Sequence, residues 1–420
     1  MKDLSVKGTR DLYPEQYARV GHIFETWRKT ALSYGFEEFD SPILETLELY
    51  TLKSGDEIVG QLYHFPDKGG RMLALRPELT PSLARMVARV HNKTPKPIKW
   101  FSIPRCMRYE RPQKGRLREF FQFNVDIIGE NAPTADLEII SVAIDSLVNL
   151  GLSSRDFVVK VNNRDFVSHY FSLLGIEDAQ EKSLYKIIDN ARKLRREETE
   201  AALEELRLDA DMKRGVNQYL ALKDRKDLEQ LREGGPGRAS LLELFALVQA
   251  AGLDDFVQFD PTIVRGLDYY TGIVFELFDR SERMRAICGG GRYNNLVREF
   301  SGKDIPACGF GMGDVVLGEI LENKDLLPAY SRNIDYYLVR VSERELPILL
   351  GVARHLRCQG MTVEFSYNST PLKKQMARAS KLGARKALIV GEQEVSEGKL
   401  VEKDLATGEE RKIPIPRSAT

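Results

Sequence analysis

Residues 104–126 read PRCMRYERPQKGRLREFFQFNVD, and the fold is read outward from them. The stretch divides into two extended runs joined by a loop containing Pro112, Lys114 and Gly115. Proline and glycine interrupt regular structure, so the loop reads as a turn between strands. Arg108 and Glu110 share a face of the outgoing run, and Arg116 and Arg118 open the return. An arginine fork can hold two phosphate oxygens at once, so a hairpin this basic offers a polyanion several cations. The return continues as FFQFNVDIIG from Phe120, an alternation suited to a central strand. Gln122 and Asp126 stand on one face of it, four residues apart. A carboxylate among apolar neighbours on a sheet face requires a cation or a hydrogen-bonding ligand. A surface hairpin with solvated charges would explain the loop but explains Asp126 poorly.

Before this hairpin, Tyr17 to Tyr34 carries Val20, Ile23, Phe24, Trp27 and Leu32 near helical spacing, with Gly35 as a stop. FEEFDSPIL then reads as a strand, and short strands are expected at 62–65, 71–75 and 98–103. In LRPELTPSLAR, residues 75–85, Glu78 and Thr80 precede a helix start where Pro81 suits the first turn. The plain reading is a capped helix with Glu78 near its positive end. After the hairpin, residues 134–150 form an amphipathic helical pattern. Charged sequence dominates from about 176 to 235 and reads as a helical insertion, closed by a turn at GGPGR, residues 234–238.

Two further segments combine unusual residue types. VRGLDYYTG, residues 264–272, sets Arg265 beside glycine and before Tyr269 and Tyr270. In CGGGRYNNL, residues 288–296, three glycines allow close backbone approach to a ligand that Arg292 and Tyr293 could contact. A triple glycine alone is more often a turn. Beyond LENKDLLPAYSRN, strands alternate with helices, implying a small α/β domain with largely parallel pairing. Lys373, Lys374, Arg378, Lys381, Arg385 and Lys386 lie on or near one of its helices, a face that is often merely solvated.

Bulk composition bounds these readings. The 420 residues suggest two or three domains, and 62 basic against 62 acidic residues leave no net charge. Any nucleic-acid contact must therefore rest on local basic patches. The four cysteines form no CxxC pair, so no metal ligand set is read, and a reduced cytoplasmic setting is the simplest expectation. The first residues, MKDLSVKGTRDLYPEQ, lack the apolar core of a secretory signal. No window approaches the roughly 20 apolar residues of a membrane span.

These segments together resemble the histidyl-tRNA synthetase family. YGFEEFDSPIL is similar to motif 1 of class II aminoacyl-tRNA synthetases, with Pro42 as its dimer-interface proline. RYERPQ…GRLREFFQ resembles motif 2, and RGLDYY and GGGRYNNL resemble two peptides particular to this family. The likeness runs from residue 7 to about 313, and the C-terminal region resembles the family's anticodon-binding domain. It implies an α+β fold: an antiparallel sheet flanked by helices over 1–325, containing the insertion, then an α/β anticodon-binding domain over 331–420.

The implied activity is ATP-dependent activation of histidine and its transfer to the 3′ end of tRNA(His), as a cytoplasmic homodimer serving protein biosynthesis. Arg108 and Arg265 would act on the α-phosphate, with Glu110 and Arg116 also at ATP and Mg2+ bound with the nucleotide. Glu78, Thr80, Gln122, Asp126, Tyr269, Tyr270 and Tyr293 would meet histidine, and Lys373, Lys374, Arg378 and Lys381 the tRNA. The chain departs from the pattern at motif 3, where GFGMGDVVLGEIL places Val316 in the position of an arginine over the nucleotide. Arg116 is one candidate to compensate. The alternative is a catalytically silent paralogue serving as regulatory subunit of ATP phosphoribosyltransferase. Such a protein is expected to lose the C-terminal domain and erode motif 2 and RGLDYY, all of which this chain keeps.

Overall fold

The return run of the hairpin is strand Glu119–Ile128 in the computed structural model, which describes residues 4–52, 60–191, 196–206, 208–231, 233–264, 269–282 and 284–416. Its alternation has a simple consequence. Phe123, Val125 and Ile127 are buried in the main core, while Gln122, Asn124 and Asp126 line a cleft on the opposite face. The core side is covered by helices Pro14–Ser33 and Pro133–Val148, and Trp27 stacks on Phe123 with centroids 5.2 Å apart. The first helix opens with proline, whose missing N–H costs nothing there. It stops at Gly35, whose φ of 75° favours glycine.

The chain forms two compact units, Met1–Pro328 and Ala329–Thr420. In the first, a nine-stranded sheet among the described residues runs Glu37–Glu38, Ile98–Ser102, Glu119–Ile128, Ala307–Gly313, Cys288–Arg292, Thr271–Asp279, Phe157–Asn163, Val257–Phe259. Arg105–Met107 pairs with the start of Glu119–Ile128, completing the hairpin. The interior pairings are antiparallel and the two edge pairings parallel. This is the α+β sheet flanked by helices that the resemblance implied. The charged segment folds into helices Asp178–Ala191, Arg196–Glu205, Ala210–Leu220 and Arg225–Gln230, which bury Leu184, Ile188, Leu203, Val216 and Leu228 in the same core.

Several expectations need correction. The triple glycine is no turn: Gly289, Gly290 and Gly291 are fully buried within strand Cys288–Arg292. GGPGR does not close the insertion; it starts helix Gly235–Ala250, with proline in the first turn. A Cβ on Gly237 would lie 2.2 Å from the Phe166 backbone nitrogen, so the glycine permits that helix to pack closely. FEEFDSPIL supplies only Glu37–Glu38 and Leu44–Thr46, in different sheets. Between them, Asp40 and the Ser41 carbonyl hold the buried Arg76 guanidinium at 2.8 and 2.6 Å.

In the second unit, Val363–Phe365, Tyr336–Arg340 and Lys386–Val390 pair in parallel, but Lys399–Asp404 and Glu410–Pro414 extend the sheet antiparallel. The pairing is therefore mixed rather than largely parallel. Leu338 packs with helix Leu346–Cys358 on one face, and Tyr337 and Val339 with helix Leu372–Lys381 on the other.

Candidate active site

The cleft over the sheet encloses about 620 Å³ and gathers ten of the expected site residues: Glu78, Thr80, Arg108, Glu110, Arg116, Gln122, Asp126, Tyr269, Tyr270 and Tyr293. Arg265 lies outside the described residues. The cleft exists because its floor is built of glycine. In GFGMG, Gly309, Gly311 and Gly313 sit opposite Asp126, Asn124 and Gln122. A Cβ on Gly309 would lie 2.1 Å from Asp126 Oδ1, and one on Gly311 would lie 2.6 Å from Gln122 Nε2. Period-two glycines thus leave room for period-two polar side chains.

One set of groups lining the cleft suits a small polar ligand. Asp126 is 4% exposed, and its Oδ1 accepts a 2.5 Å hydrogen bond from the Tyr293 hydroxyl. Burial pushes its carboxyl up to about 7, against the pull of that bond. Burial and the facing carboxylate drive the Tyr293 phenol well above its ordinary value. Glu78 Oε2 accepts from the Tyr269 hydroxyl at 2.9 Å, so this carboxylate joins the aromatic wall instead of capping helix Thr80–Val90. The Tyr269 and Tyr270 rings lie 4.9 Å apart. Gln122 Oε1 is buried without a hydrogen-bond partner among the described residues, which marks it for a ligand's donor.

The cleft also carries cations. Arg108 donates through Nε to the Pro77 carbonyl at 3.0 Å, and its guanidinium lies 5.1 Å from the Phe120 ring centre. Arg116 is ion-paired with Glu110. Burial, together with the like charges of Arg285 and Arg108, lowers the Arg116 guanidinium to about 10, leaving it charged at neutral pH. Arg118, by contrast, is occupied with backbone: it donates to the carbonyls of Glu110 and Lys7. Val316 is buried on the cleft wall, its Cγ2 3.2 Å from where a Gly115 Cβ would stand. Its neighbour Asp314 accepts from the Phe121 amide at 2.8 Å and from Arg10, so this segment anchors the hairpin strand.

Arg292 does not face the cleft. It is buried against Asp136, donating through Nη2 at 2.7 Å and Nε at 2.9 Å, and to the Ala132 carbonyl at 2.9 Å. The pair rivets the glycine strand to the start of helix Pro133–Val148. Among the cleft residues missed from sequence are Asn124 and Arg285. Asn124 completes the Gln122, Asn124, Asp126 run on one strand face, so alternation alone could have found it. Arg285 belongs to the basic approach RSERMRAI to the triple glycine, and no motif singled it out. Lys373, Lys374, Arg378 and Lys381 are all exposed on helix Leu372–Lys381 of the second unit. Among the described residues, no group of three or more His, Cys, Asp or Glu side chains could hold a metal ion.

The family model described as histidyl-tRNA synthetase matches residues 8–313, and that described as anticodon binding domain matches residues 335–419. The chain belongs to the histidyl-tRNA synthetase family. Among the family's curated members, a histidine–tRNA ligase of Opitutus terrae is 41% identical over 98% of this chain and 95% of its own length. The chloroplastic/mitochondrial ligase of Arabidopsis thaliana is 40% identical over 97% of this chain and 84% of its own. The histidyl-tRNA synthetase structure from Nostoc sp. PCC 7120 superposes with a TM-score of 0.81 at 25% identity, covering 99% of this chain and 97% of that one. A Bacillus halodurans structure titled as an ATP phosphoribosyltransferase regulatory subunit/histidyl-tRNA synthetase gives 0.76 at 25% identity, covering 92% and 98%.

Proposed function

We infer that the protein is a histidine–tRNA ligase, an ATP-dependent aminoacyl-tRNA synthetase. The observation that carries this is the lining of one cleft, which brings buried carboxylates, tyrosines and an unsatisfied glutamine oxygen together with arginines. Histidine has a cation and N–H donors for the carboxylates and the glutamine oxygen. ATP has phosphates for the arginines.

Glu78 and Asp126 receive the amino group and imidazole of histidine, with Gln122 and Thr80 beside them and Tyr269, Tyr270 and Tyr293 as walls. Buried polar groups of this kind penalise amino acids that cannot pair with them. ATP enters as its Mg2+ complex. Arg108 steadies the α-phosphate, Glu110 and Arg116 line the nucleotide, and Arg265 adds a further cation at the reacting phosphate by family resemblance. The histidine carboxylate attacks the α-phosphorus and pyrophosphate leaves. Alignment of two anions and neutralisation of charge spreading over phosphate oxygens carry the rate, so no side-chain nucleophile is required. The terminal ribose hydroxyl of tRNA(His) then attacks the adenylate carbonyl, releasing AMP. The exposed lysines and arginine of helix Leu372–Lys381 meet the tRNA backbone.

The active form is a cytoplasmic homodimer. Exposed Ile43, Leu44, Phe65 and Met72, on or beside the small three-stranded sheet near Pro42, give it an apolar surface, and four free cysteines suit a reducing setting. No helix among the described residues is long and apolar enough to cross a membrane. Service as a regulatory subunit of ATP phosphoribosyltransferase is the rival reading, and the Bacillus halodurans structure is its point of reference. It requires histidine binding but not the cleft arginines. Histidine-dependent ATP–pyrophosphate exchange decides between them: exchange with histidine alone among the amino acids is expected. A folded protein that binds histidine but exchanges nothing would overturn the ligase reading.

A further inference from the structure

A second cavity of about 720 Å³ adjoins the first and shares Gly115, Met284 and Arg285 with it. Most of its charges are already engaged. Lys324 pairs with Asp156 at 2.6 Å, and Arg280 donates to the carbonyls of Ser154 and Asp255. Arg285 differs. It is exposed in the link between Thr271–Asp279 and Cys288–Arg292, and it makes no ion pair or hydrogen bond among the described residues.

Its neighbourhood is cationic. Arg116 and Arg108 line the same cleft, and the charge of Arg285 is felt at Arg116. Several acids around the two cavities are engaged with other groups: Glu110 with Arg116, Glu282 with Lys160 at 2.6 Å, and Asp156 with Lys324 at 2.6 Å. Among the described residues three guanidinium groups line this cleft, one of them paired with a carboxylate, and like charges so placed repel one another until an anion arrives. Val316, on the wall of the same cleft, offers only methyl groups.

We propose that Arg285 binds the polyphosphate tail of ATP, supplying from the strand-to-strand link the cation that Val316 cannot. The proposal rests on the ATP-dependent reading of this cleft. The tail, beyond the α-phosphate, is the part of the nucleotide that AMP lacks, so binding of the two nucleotides separates this role from any contact to the base or ribose.

The test uses the full chain with Arg285→Ala and Arg285→Lys. Both are expected to keep the wild-type melting temperature, since Arg285 is exposed and unpaired among the described residues. Calorimetry should show ATP binding weakened roughly ten- to hundredfold in Arg285→Ala, the scale of a lost charged hydrogen bond. AMP binding should stay within about twofold, and Arg285→Lys should recover part of the ATP loss. In histidine-dependent exchange, the ATP KM should rise by a similar factor while kcat and the histidine KM hold. Unchanged ATP binding, or equal weakening of ATP and AMP, overturns the proposal. Absence of exchange in the wild-type protein would defeat the ligase reading instead, and the ATP-against-AMP comparison would still decide the role of Arg285.

Discussion

At Asp126 burial and one tyrosine hydroxyl compete over a single proton. Burial dominates and lifts the carboxyl from its ordinary 3.8 to about 7. A group whose folded value is raised contributes stability that is complete at low pH and fades as pH rises through the folded value. The ligand-free protein should therefore lose this contribution between about pH 4 and pH 7. Histidine binding has the opposite sign, because an imidazole or ammonium donor prefers the ionised carboxylate. Histidine affinity should be measured at pH 6 and pH 8 in wild type and in Asp126→Asn. Free histidine's own titration appears in both, so the affinity ratio isolates Asp126. That advantage of wild type is expected to grow roughly tenfold across the range. A ratio independent of pH would remove Asp126 as the ionising partner.

The strands beside Asp126 were the least legible elements, and the reason is physical. A strand is recognised by alternating side chains, and CGGGR and GFGMG have few to alternate. Their glycines serve close contacts made by distant chain segments, which no local pattern reports. By contrast, Glu119–Ile128 alternates apolar and polar faces, so both its centrality and the polar face it turns to the cleft were legible. Arg292 shows the limit again: an arginine beside glycines reads alike whether it faces a ligand or a buried Asp136. Asp136→Ala should cost about 3–5 kcal/mol, as expected for leaving Arg292 buried and unpaired, and urea unfolding measures it. Two glycine variants should separate structure from binding. In Gly290→Ala the new Cβ would lie 2.4 Å from the Gly309 carbonyl, backbone that cannot yield, so roughly 1–3 kcal/mol or more of stability should go. In Gly311→Ala it meets the Gln122 amide, which can swing aside. That variant should lose less stability but show a several-fold higher histidine KM. Equal stability losses would mean that the Gln122 side chain is as immovable as backbone.

For the whole molecule, zero net charge concealed how the charges are distributed. Lys373, Lys374, Arg378 and Lys381 make no ion pairs among the described residues and share one exposed helix of the second unit, whereas the cleft chemistry belongs entirely to the first. If that helix meets tRNA phosphates, tRNA use and histidine activation must be separable. Lys373→Glu with Lys374→Glu should raise the tRNA KM by tenfold or more and leave tRNA-independent pyrophosphate exchange at the wild-type level. The salt dependence supplies a stricter test, because each lost phosphate contact lowers the slope of log affinity against log salt by about one. Two lost contacts should make tRNA binding visibly less salt-sensitive, by about two units of slope. A weaker tRNA affinity with an unchanged slope would point to disturbed packing around buried Gln375 and Ala379 on the same helix, and the phosphate contacts would have to lie elsewhere.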